Sequence, residues 1–170
     1  GVGDFRNVIV DNCIISRSNR GLSIQIRDGG NVENVTYSNC IIETRRFCPD
    51  WWGTAEPIVI TTFNRDENTK SGKIKNVRFR NITCKGENGV LIHGTEENMI
   101  EDVTFENVSV TMTKTSKWDC GLYDLRPCLQ YGVEKYKNSG FFIRNAKNVL
   151  IEKSSVQWGN NCDDYNKAID

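Results

Sequence analysis

Three side chains in the sequence are candidates for proton transfer: two carboxylates, Asp28 and Glu56, and the single histidine, His93. A carboxylic acid and a carboxylate on opposite sides of a bond can act as general acid and general base in hydrolysis. Both carboxylates are expected near one edge of a common strand face, so they form the candidate catalytic pair. His93 has two interpretations, a proton-transfer group or, as we favour, a satisfied surface or turn residue.

A repeated segment positions these side chains. Five copies share a short alternation of apolar and polar residues; they begin at Asn7, Asn34, Asn76, Asp102 and Asn148. The spacing between successive copies fits a basic coil of about 26 residues, lengthened by insertions in the second and fourth intervals. The alternation is too short for a helix face and is rich in β-branched residues, so each copy is predicted to be a short strand.

A second strand is predicted between successive copies. These strands cover residues 21–26, 57–62, 89–94 and 140–145. The connections leave no room for crossover helices, so the coils are expected to stack in parallel, each about 4.8 Å from the next. The fold class is therefore all-β, a parallel β-helix of about five coils in a single domain over residues 1–170. Loop insertions are expected near 45–57, 63–73 and 111–139.

Asparagine recurs where one strand of each coil bends into the next. Asn tolerates the left-handed backbone conformation that such bends need, and stacked Asn side chains can hydrogen-bond as a ladder. Asn34, Asn81 and Asn107 also begin N-x-S/T sequences, the acceptor pattern for N-glycosylation. A ladder occupies the side-chain amide, so we favour the structural interpretation at all three.

The period of two along a strand separates inward from outward side chains. If Leu22, Ile24 and Ile26 point inward, their neighbours point outward. The outward row predicted from this register contains Gln25, Thr61, His93 and Arg144, with Arg27 further along. Hydrogen-bond donors and cations beside apolar side chains suit a sugar chain that carries carboxylates. All five are candidate substrate-binding residues.

The insertion in the second coil carries two arginines and two tryptophans, Arg45, Arg46, Trp51 and Trp52, and is expected to form one wall of a groove over the outward row. Exposed indole rings pack on the C–H faces of sugars, and Arg binds carboxylates in a bidentate manner. The alternative is that both Trp rings only pack the insertion onto the barrel, because Trp is more often buried than functional.

The insertion in the fourth interval carries Cys120 and Cys128, which are predicted to form a disulfide that closes this long loop. Tyr123 and Arg126 either reach the same groove or, as we favour, belong to a solvated loop. Cys13 and Cys40 occupy equivalent positions in adjacent coils. They are within reach of a disulfide, although stacked buried thiols are the favoured interpretation.

Composition excludes several other functions. Lys plus Arg number 22 and Asp plus Glu number 22, so no overall positive charge favours nucleic acid as a partner. No apolar run approaches the ~20 residues that span a bilayer, so a membrane partner is not expected. Seven cysteines argue weakly for an oxidising compartment. With no CxxC pair and one histidine, neither a metal site nor a cofactor is expected.

Three segments carry a resemblance to a known family. Arg20-Gly-Leu-Ser-Ile-Gln, Asn31-Val-Glu-Asn-Val-Thr-Tyr and Trp52-Gly-Thr-Ala-Glu-Pro-Ile resemble the later coils of glycoside hydrolase family 28, the polygalacturonase-like enzymes. The resemblance extends from Gly3 to about Gly159. It implies a right-handed parallel β-helix, secretion, and inverting hydrolysis of pectic polysaccharides by three Asp residues, a Gly-His-Gly and an Arg-Ile-Lys.

The sequence also departs from the family pattern. The family's Asn-Thr-Asp, Asp-Asp and Gly-His-Gly segments would lie upstream of Gly1, and Ser23-Ile24-Gln25 replaces Arg-Ile-Lys. His93 follows that position instead of preceding it, so the catalytic histidine role is not transferred to it. For inverting hydrolysis by Asp28 and Glu56, the two carboxyl groups would need to lie about 6.5 to 9.5 Å apart.

The resemblance, together with the departures of this sequence from the family pattern, leaves two possible functions. The first is the C-terminal portion of a secreted polygalacturonase-like glycosidase, whose catalytic acids come from upstream coils. The second is a non-catalytic polysaccharide-binding or structural β-helix. An uncapped first coil exposes strand edges, so the isolated chain is also expected to associate end to end.

Overall fold

The computed structural model describes residues 1–119, 121–160, 165 and 167–170. Every regular element in these ranges is a β-strand. The strands are β1 (Phe5–Asp11), β2 (Ile14–Ser18), β3 (Arg20–Ile26), β4 (Val32–Thr44), β5 (Glu56–Thr62), β6 (Ile74–Gly86), β7 (Val90–His93), β8 (Ile100–Met112), β9 (Leu122–Asp124), β10 (Val133–Lys135), β11 (Phe141–Arg144), β12 (Ala146–Glu152) and β13 (Ser155–Trp158).

Two parallel sheets build the body of the molecule. The seven-stranded sheet has the order β1-β4-β6-β8-β12, with β2 beside β4 and β13 beside β8. The four-stranded sheet has the order β3-β5-β7-β11. The chain alternates between the two sheets as it proceeds, so the predicted parallel β-helix is confirmed. The predicted number of about five coils stays a prediction, because the last coil has no named strand in the four-stranded sheet within the described residues.

Most bends within the seven-stranded sheet are made by Asn and Asp in the left-handed conformation. Their φ angles lie between 53° and 58° at Asn7, Asn12, Asn34, Asn39, Asn76, Asn81, Asp102, Asn107 and Asn148. Side-chain hydrogen bonds connect successive coils at these bends, as at Asn34 Nδ2 to Asn7 Oδ1 (3.0 Å). The predicted ladder is therefore confirmed. Each of the three sequon amides, on Asn34, Asn81 and Asn107, donates to the preceding coil.

The main hydrophobic core lies between the two sheets. Inward side chains stack in register from coil to coil, as in the row Val35, Val77 and Val103. The rings of Tyr37, Phe79 and Phe105 form a continuous stack, with centroids 5.2 and 5.0 Å apart. Ring stacking adds to the burial of large apolar surface, so this column stabilises the alignment of the coils.

A second, smaller core lies outside the β-helix. Residues 113–140 contain the antiparallel hairpin β9-β10 and pack on the outer face of the four-stranded sheet. We call this segment the covering insertion. The second core consists of Val59, Phe63, Leu91, Tyr123, Leu125 and Phe142. This finding corrects the favoured prediction of a solvated loop, because Tyr123 is fully buried.

The first coil has a less complete core than the coil that follows it. Val8, Val10, Cys13 and Ile15 point toward the interior and are only half-buried. The corresponding residues of the next coil, such as Val35 and Ile42, are buried. An apolar face of this kind can accept a further coil, and end-to-end association through it stays a prediction.

Candidate functional site

The outer face of the four-stranded sheet carries the predicted row of substrate-binding residues. Gln25 pairs with Thr61, Thr61 with His93, and His93 with Arg144. The predicted register is therefore confirmed. Thr61 and His93 are nevertheless completely buried beneath the covering insertion. The prediction of an open groove at these two residues is wrong, because the insertion occupies the space in front of β5 and β7.

Arg27 was also expected to face a substrate, and it is buried instead. Its guanidinium donates to the carbonyl oxygens of Pro127 (2.7 Å) and Leu125 (2.9 Å) and to Thr61 Oγ1 (3.0 Å). Burial lowers the pKa of Arg27 to about 10, so it stays protonated at neutral pH. Arg27 therefore fastens the covering insertion to the sheet.

His93 lies in an aromatic cage under the insertion, with Phe63, Tyr131 and Phe142 around its ring. Nδ1 is 2.7 Å from the carbonyl oxygen of Gly94, and Nε2 has no hydrogen-bond partner within the described residues. Burial lowers the pKa of His93, and the charge of Arg144 acts in the same direction. Both the catalytic interpretation and the favoured surface interpretation of His93 are therefore wrong.

The buried histidine predicts a pH dependence of stability. A group whose pKa is lowered on folding takes up more protons in the unfolded state, so stability falls as the pH drops below about 6.5. We expect the free energy of unfolding in urea to be lower at pH 5 than at pH 7.5 for the wild type. The variant His93→Gln should lose most of this difference. An equal difference in the variant would assign the effect to another group.

The two candidate catalytic carboxylates lie at opposite ends of the four-stranded sheet. Glu56 pairs with Arg20 at the start of β3, whereas Asp28 follows the end of β3. The six steps from Arg20 to Ile26 along β3 span about 20 Å at ~3.3 Å per residue, and Asp28 lies two residues further on. An acid and a base across one glycosidic bond must be less than half as far apart. The predicted catalytic pair is therefore wrong, because Glu56 lies beside the start of β3 and Asp28 follows the end of β3.

Each of these carboxylates has a structural role. Asp28 accepts two hydrogen bonds from Arg65, both at 2.9 Å. The hydrogen bonds from Arg65 hold the pKa of Asp28 far below its usual range, so it is unsuited to donate a proton. Glu56 is fully buried and accepts hydrogen bonds from the backbone and hydroxyl of Thr54 (2.8 and 2.7 Å) and from the Asp124 amide (3.2 Å).

A buried charged cluster joins the two insertions. Arg20 lies 3.6 Å from Glu56 and 3.8 Å from Asp124, and Arg126 forms a two-point contact with Asp124. The amide of Gly53 donates to Asp124 at 2.7 Å. Burial alone raises the pKa of Asp124, but the hydrogen bonds from Arg126 and Gly53 outweigh it and the pKa is lowered overall. Arg126 therefore supports the fold here.

The two tryptophans of the second-coil insertion are exposed. Trp51 and Trp52 retain 71% and 53% of their accessible surface, so neither ring only packs the insertion onto the barrel. Arg45 is exposed and stands over the ring of Phe47 at 4.8 Å. Arg46 is buried beneath this segment and faces the ring of Trp118 at 5.9 Å, which removes it from the candidate sugar-binding surface.

Two cavities adjoin β3, and Trp52 lines both. The first, about 380 Å³, lies at the start of β3 and is lined by Arg20, Phe47 and Trp51 among others. The second, about 320 Å³, lies at the end of β3 and is lined by Gln25, Arg65 and Pro127 among others. Between them, Ser23 is exposed on β3. We call these two cavities with Ser23 and Trp52 the β3 site.

The structure brings some predicted residues together at this site and separates others. Gln25, Trp51 and Trp52 belong to it, whereas Arg144 is exposed on the far strand and covers the rings of Tyr136 and Phe142. Arg65 and Pro127 line the site and were missed. No local pattern marks them, because they reach it from distant insertions.

The cysteines contribute no disulfide within the described residues. Cys120, the predicted partner of Cys128, lies outside them, and Cys128 has a free thiol 3.2 Å from the carbonyl oxygen of Tyr131. That disulfide therefore stays a prediction without support. Cys13 and Cys40 are free, each with its sulfur directed at the carbonyl two residues earlier.

Comparison with known proteins assigns the family. The model of glycosyl hydrolases family 28 matches residues 2–127. This chain belongs to that family. An endo-polygalacturonase from Pectobacterium carotovorum subsp. carotovorum is 29% identical over 112 residues, which cover 64% of this chain and 26% of the relative. The family 28 chain therefore spans about a quarter of the curated relative it matches. No solved structure matches it.

Two further observations concern the parts of the family 28 chain that the structure describes. They contain no group of three or more His, Cys, Asp or Glu side chains arranged to hold a metal ion. They also contain no helix long and apolar enough to cross a membrane.

Proposed function

We propose that this family 28 chain is the C-terminal portion of a secreted polygalacturonase-like hydrolase that acts on a pectic or other acidic polysaccharide. Coils upstream of Gly1 contribute the catalytic acids, and this chain supplies sugar-binding subsites and stability. The observation that carries the proposal is the clustering of exposed aromatic and polar side chains at β3, the first strand of the four-stranded sheet. A site at that edge is adjacent to any coil stacked before it.

Asp28 and Glu56 are both held in structural contacts, which supports a catalytic centre outside this chain. Asp28 is bound by Arg65, and Glu56 is buried in the cluster that joins the insertions. Glu56 cannot approach a sugar bound at the β3 site while keeping these contacts, and Asp28, which lines the second cavity, stays paired with Arg65. The chain can therefore bind a substrate without having the acid and base that hydrolysis requires.

Exposed indole rings give the β3 site its affinity for sugars. Trp51 and Trp52 present flat apolar surfaces to solvent, and the C–H faces of pyranose rings pack well on such surfaces. Arg45, stacked over Phe47 near the first cavity, provides a positive charge for a sugar carboxylate. Partner and compartment follow from the same proposal: the partner is a polysaccharide outside the cell.

The second candidate function is non-catalytic binding, and one observation favours it. Ser23 and Gln25 occupy the positions of the two basic residues in the family's Arg-Ile-Lys, so the catalytic face has lost its cations. The two candidates differ in what the longest natural form of the protein does. A hydrolase releases reducing ends from its polysaccharide, whereas a binding protein retains affinity without releasing them.

The test measures binding and hydrolysis separately. We expect the isolated chain to bind pectic oligosaccharides and to release no reducing ends from them, while the longest natural form does both. Binding is measured by calorimetry and hydrolysis by a reducing-end assay. Hydrolysis by the isolated chain would overturn the proposal, because the acid and the base would then lie within this chain. Binding without hydrolysis by the longest form would establish the second candidate.

A further inference from the structure

A concave surface lies on the outside of the seven-stranded sheet, along the Asn ladder. Its cavity of about 710 Å³ extends over several stacked coils. It is lined, among others, by Asn34, Asn76, Arg78, Thr104, Asn148 and Leu150. None of its residues lines the β3 site, and the main core lies between the two sheets that carry them. We call this cavity the ladder groove.

One outward side chain per coil faces the ladder groove. Register pairing joins Arg78 to Thr104 and Thr104 to Leu150, and Thr36 continues the row in the coil before Arg78. Arg78 and Leu150 are exposed, and both threonines are half-buried. Successive coils are about 4.8 Å apart, so the row of four side chains spans about 14 Å. A linear ligand parallel to the β-helix axis can therefore contact several coils at once.

Arg78 provides a positive charge that no carboxylate of the groove compensates. Glu33 lies 3.4 Å from Arg6. Asp102 lies 3.7 Å from Lys75. The guanidinium of Arg78, in contrast, has no hydrogen bond or ion pair with any residue in the part of the chain that the structure describes. Because a guanidinium binds carboxylates through two parallel hydrogen bonds, this position suits a carboxylate group of a ligand.

The amides of the ladder add further donors to the groove. Asn34, Asn76 and Asn148 each donate one N–H to the preceding coil, at 3.0, 2.6 and 3.0 Å. A side-chain amide has two N–H groups, so each retains one that has no acceptor among the described residues. These N–H groups repeat along the same axis as the row of Arg78. They suit a ligand that offers oxygen acceptors at regular intervals.

We propose that the ladder groove is a second binding site for an acidic sugar chain, an inference that rests on the proposed function for its ligand class alone. A sugar carboxylate binds Arg78, sugar hydroxyl groups accept hydrogen bonds from the ladder amides, and an apolar C–H face packs on Leu150. Nucleic acid fits less well, because it has one negative charge per ~1.7 Å and would bring phosphates next to Glu33 and Asp102. The chain then binds polysaccharide on both sheets.

Backbone amide chemical shifts test where the ligand binds. The isotope-labelled chain is titrated with a short oligomer of galacturonic acid. We expect shifts at Arg78, Thr104 and their neighbours, in addition to those at the β3 site. Shifts at the β3 site alone would overturn the inference and leave the proposed function intact. Shifts at the ladder groove alone would support the inference and remove the β3 site from the proposed function. No shift at either place would overturn both.

Two matched variants test the role of Arg78. Arg78→Gln removes the charge, and we expect the affinity of the ladder groove to fall about tenfold. Arg80→Gln is the control, because Arg80 is exposed on the same strand but lies outside the groove and is paired with Glu106 at 2.9 Å. Its replacement should change this affinity less than about twofold. Equal weakening by the two variants would overturn the assignment of the carboxylate to Arg78.

A modified ligand tests the same contact from the other side. The methyl ester of the oligomer has no carboxylate charge and otherwise keeps its hydroxyl groups. We expect the wild-type ladder groove to bind the ester about tenfold more weakly than the acid, and Arg78→Gln to bind both with similar affinity. Equal binding of ester and acid by the wild type would overturn the inference of an acidic ligand.

Discussion

Replacing Asp124 by Ala is expected to lower the free energy of unfolding by about 3 kcal/mol at neutral pH. The change removes the acceptor of Gly53 and of both nitrogens of Arg126, and leaves the charge of Arg20 next to Glu56 alone. Breaking a buried pair is costly because the remaining charge is left uncompensated. Arg126 is about a third exposed, which places the effect at the lower end of the usual range.

The pH dependence of this effect follows from the lowered pKa of Asp124. A carboxyl group whose pKa is lower in the folded state contributes stability above its unfolded value, about 3.9, and loses it as the pH falls further. The wild type and the variant should therefore differ fully at pH 7 and converge below about pH 4. Urea unfolding at several pH values measures the difference.

Two controls make the result specific to the cluster. Asp119 is an exposed carboxylate of the same covering insertion, so Asp119→Ala should change stability by less than about 0.5 kcal/mol. Limited proteolysis should also cut residues 113–140 faster in the Asp124 variant than in the wild type. Equal stability of the two alanine variants would contradict the role of Asp124 in joining the insertions.

Replacing Phe79 by Ala is expected to cost about 3 to 5 kcal/mol of stability. Phe79 is in the middle of the ring column in the main core, stacked on Tyr37 and on Phe105, and is almost completely buried. Its removal leaves a cavity between two coils whose backbones are fixed by the sheet, so the neighbours have little freedom to fill it.

Thermal and urea unfolding of the Phe79 variant provide the measurement. Phe47→Ala is the matched control, because Phe47 keeps 42% of its surface exposed and its removal should cost less than about 0.5 kcal/mol. A loss below about 1 kcal/mol for the Phe79 variant would mean that the coils rearrange to close the gap. In that case the ring column would not determine coil alignment.

The arrangement of the two cores has a consequence for function. The β-helix presents one sheet face that could have bound a long stretch of polysaccharide, and the covering insertion turns most of that face into a buried interface. On this face, the proposed sugar binding is thereby confined to β3, its two cavities and Trp52. Family membership alone would not have indicated this restriction, because the match to the family model ends at residue 127, within the insertion.

The sequence by itself determined the repeating part of the molecule. The alternation at Asn7, Asn34 and Asn76 predicted the strands, their parallel stacking and the ladder, and each of these was confirmed. Such features depend on contacts between equivalent residues of neighbouring coils. Periodicity in the sequence therefore carries the information, and the row from Gln25 to Arg144 was placed in the correct register for the same reason.

Only the tertiary structure decided which outward residues meet solvent. Arg27 and His93 have the sequence pattern of exposed residues, and both are buried because a segment about 100 residues from Arg27 folds back over them. That segment has no repeat, so no periodicity predicts where it docks. Its position depends on long-range contacts, such as those of Arg27 with Pro127 and of Asp124 with Gly53, which form only once the coils are stacked.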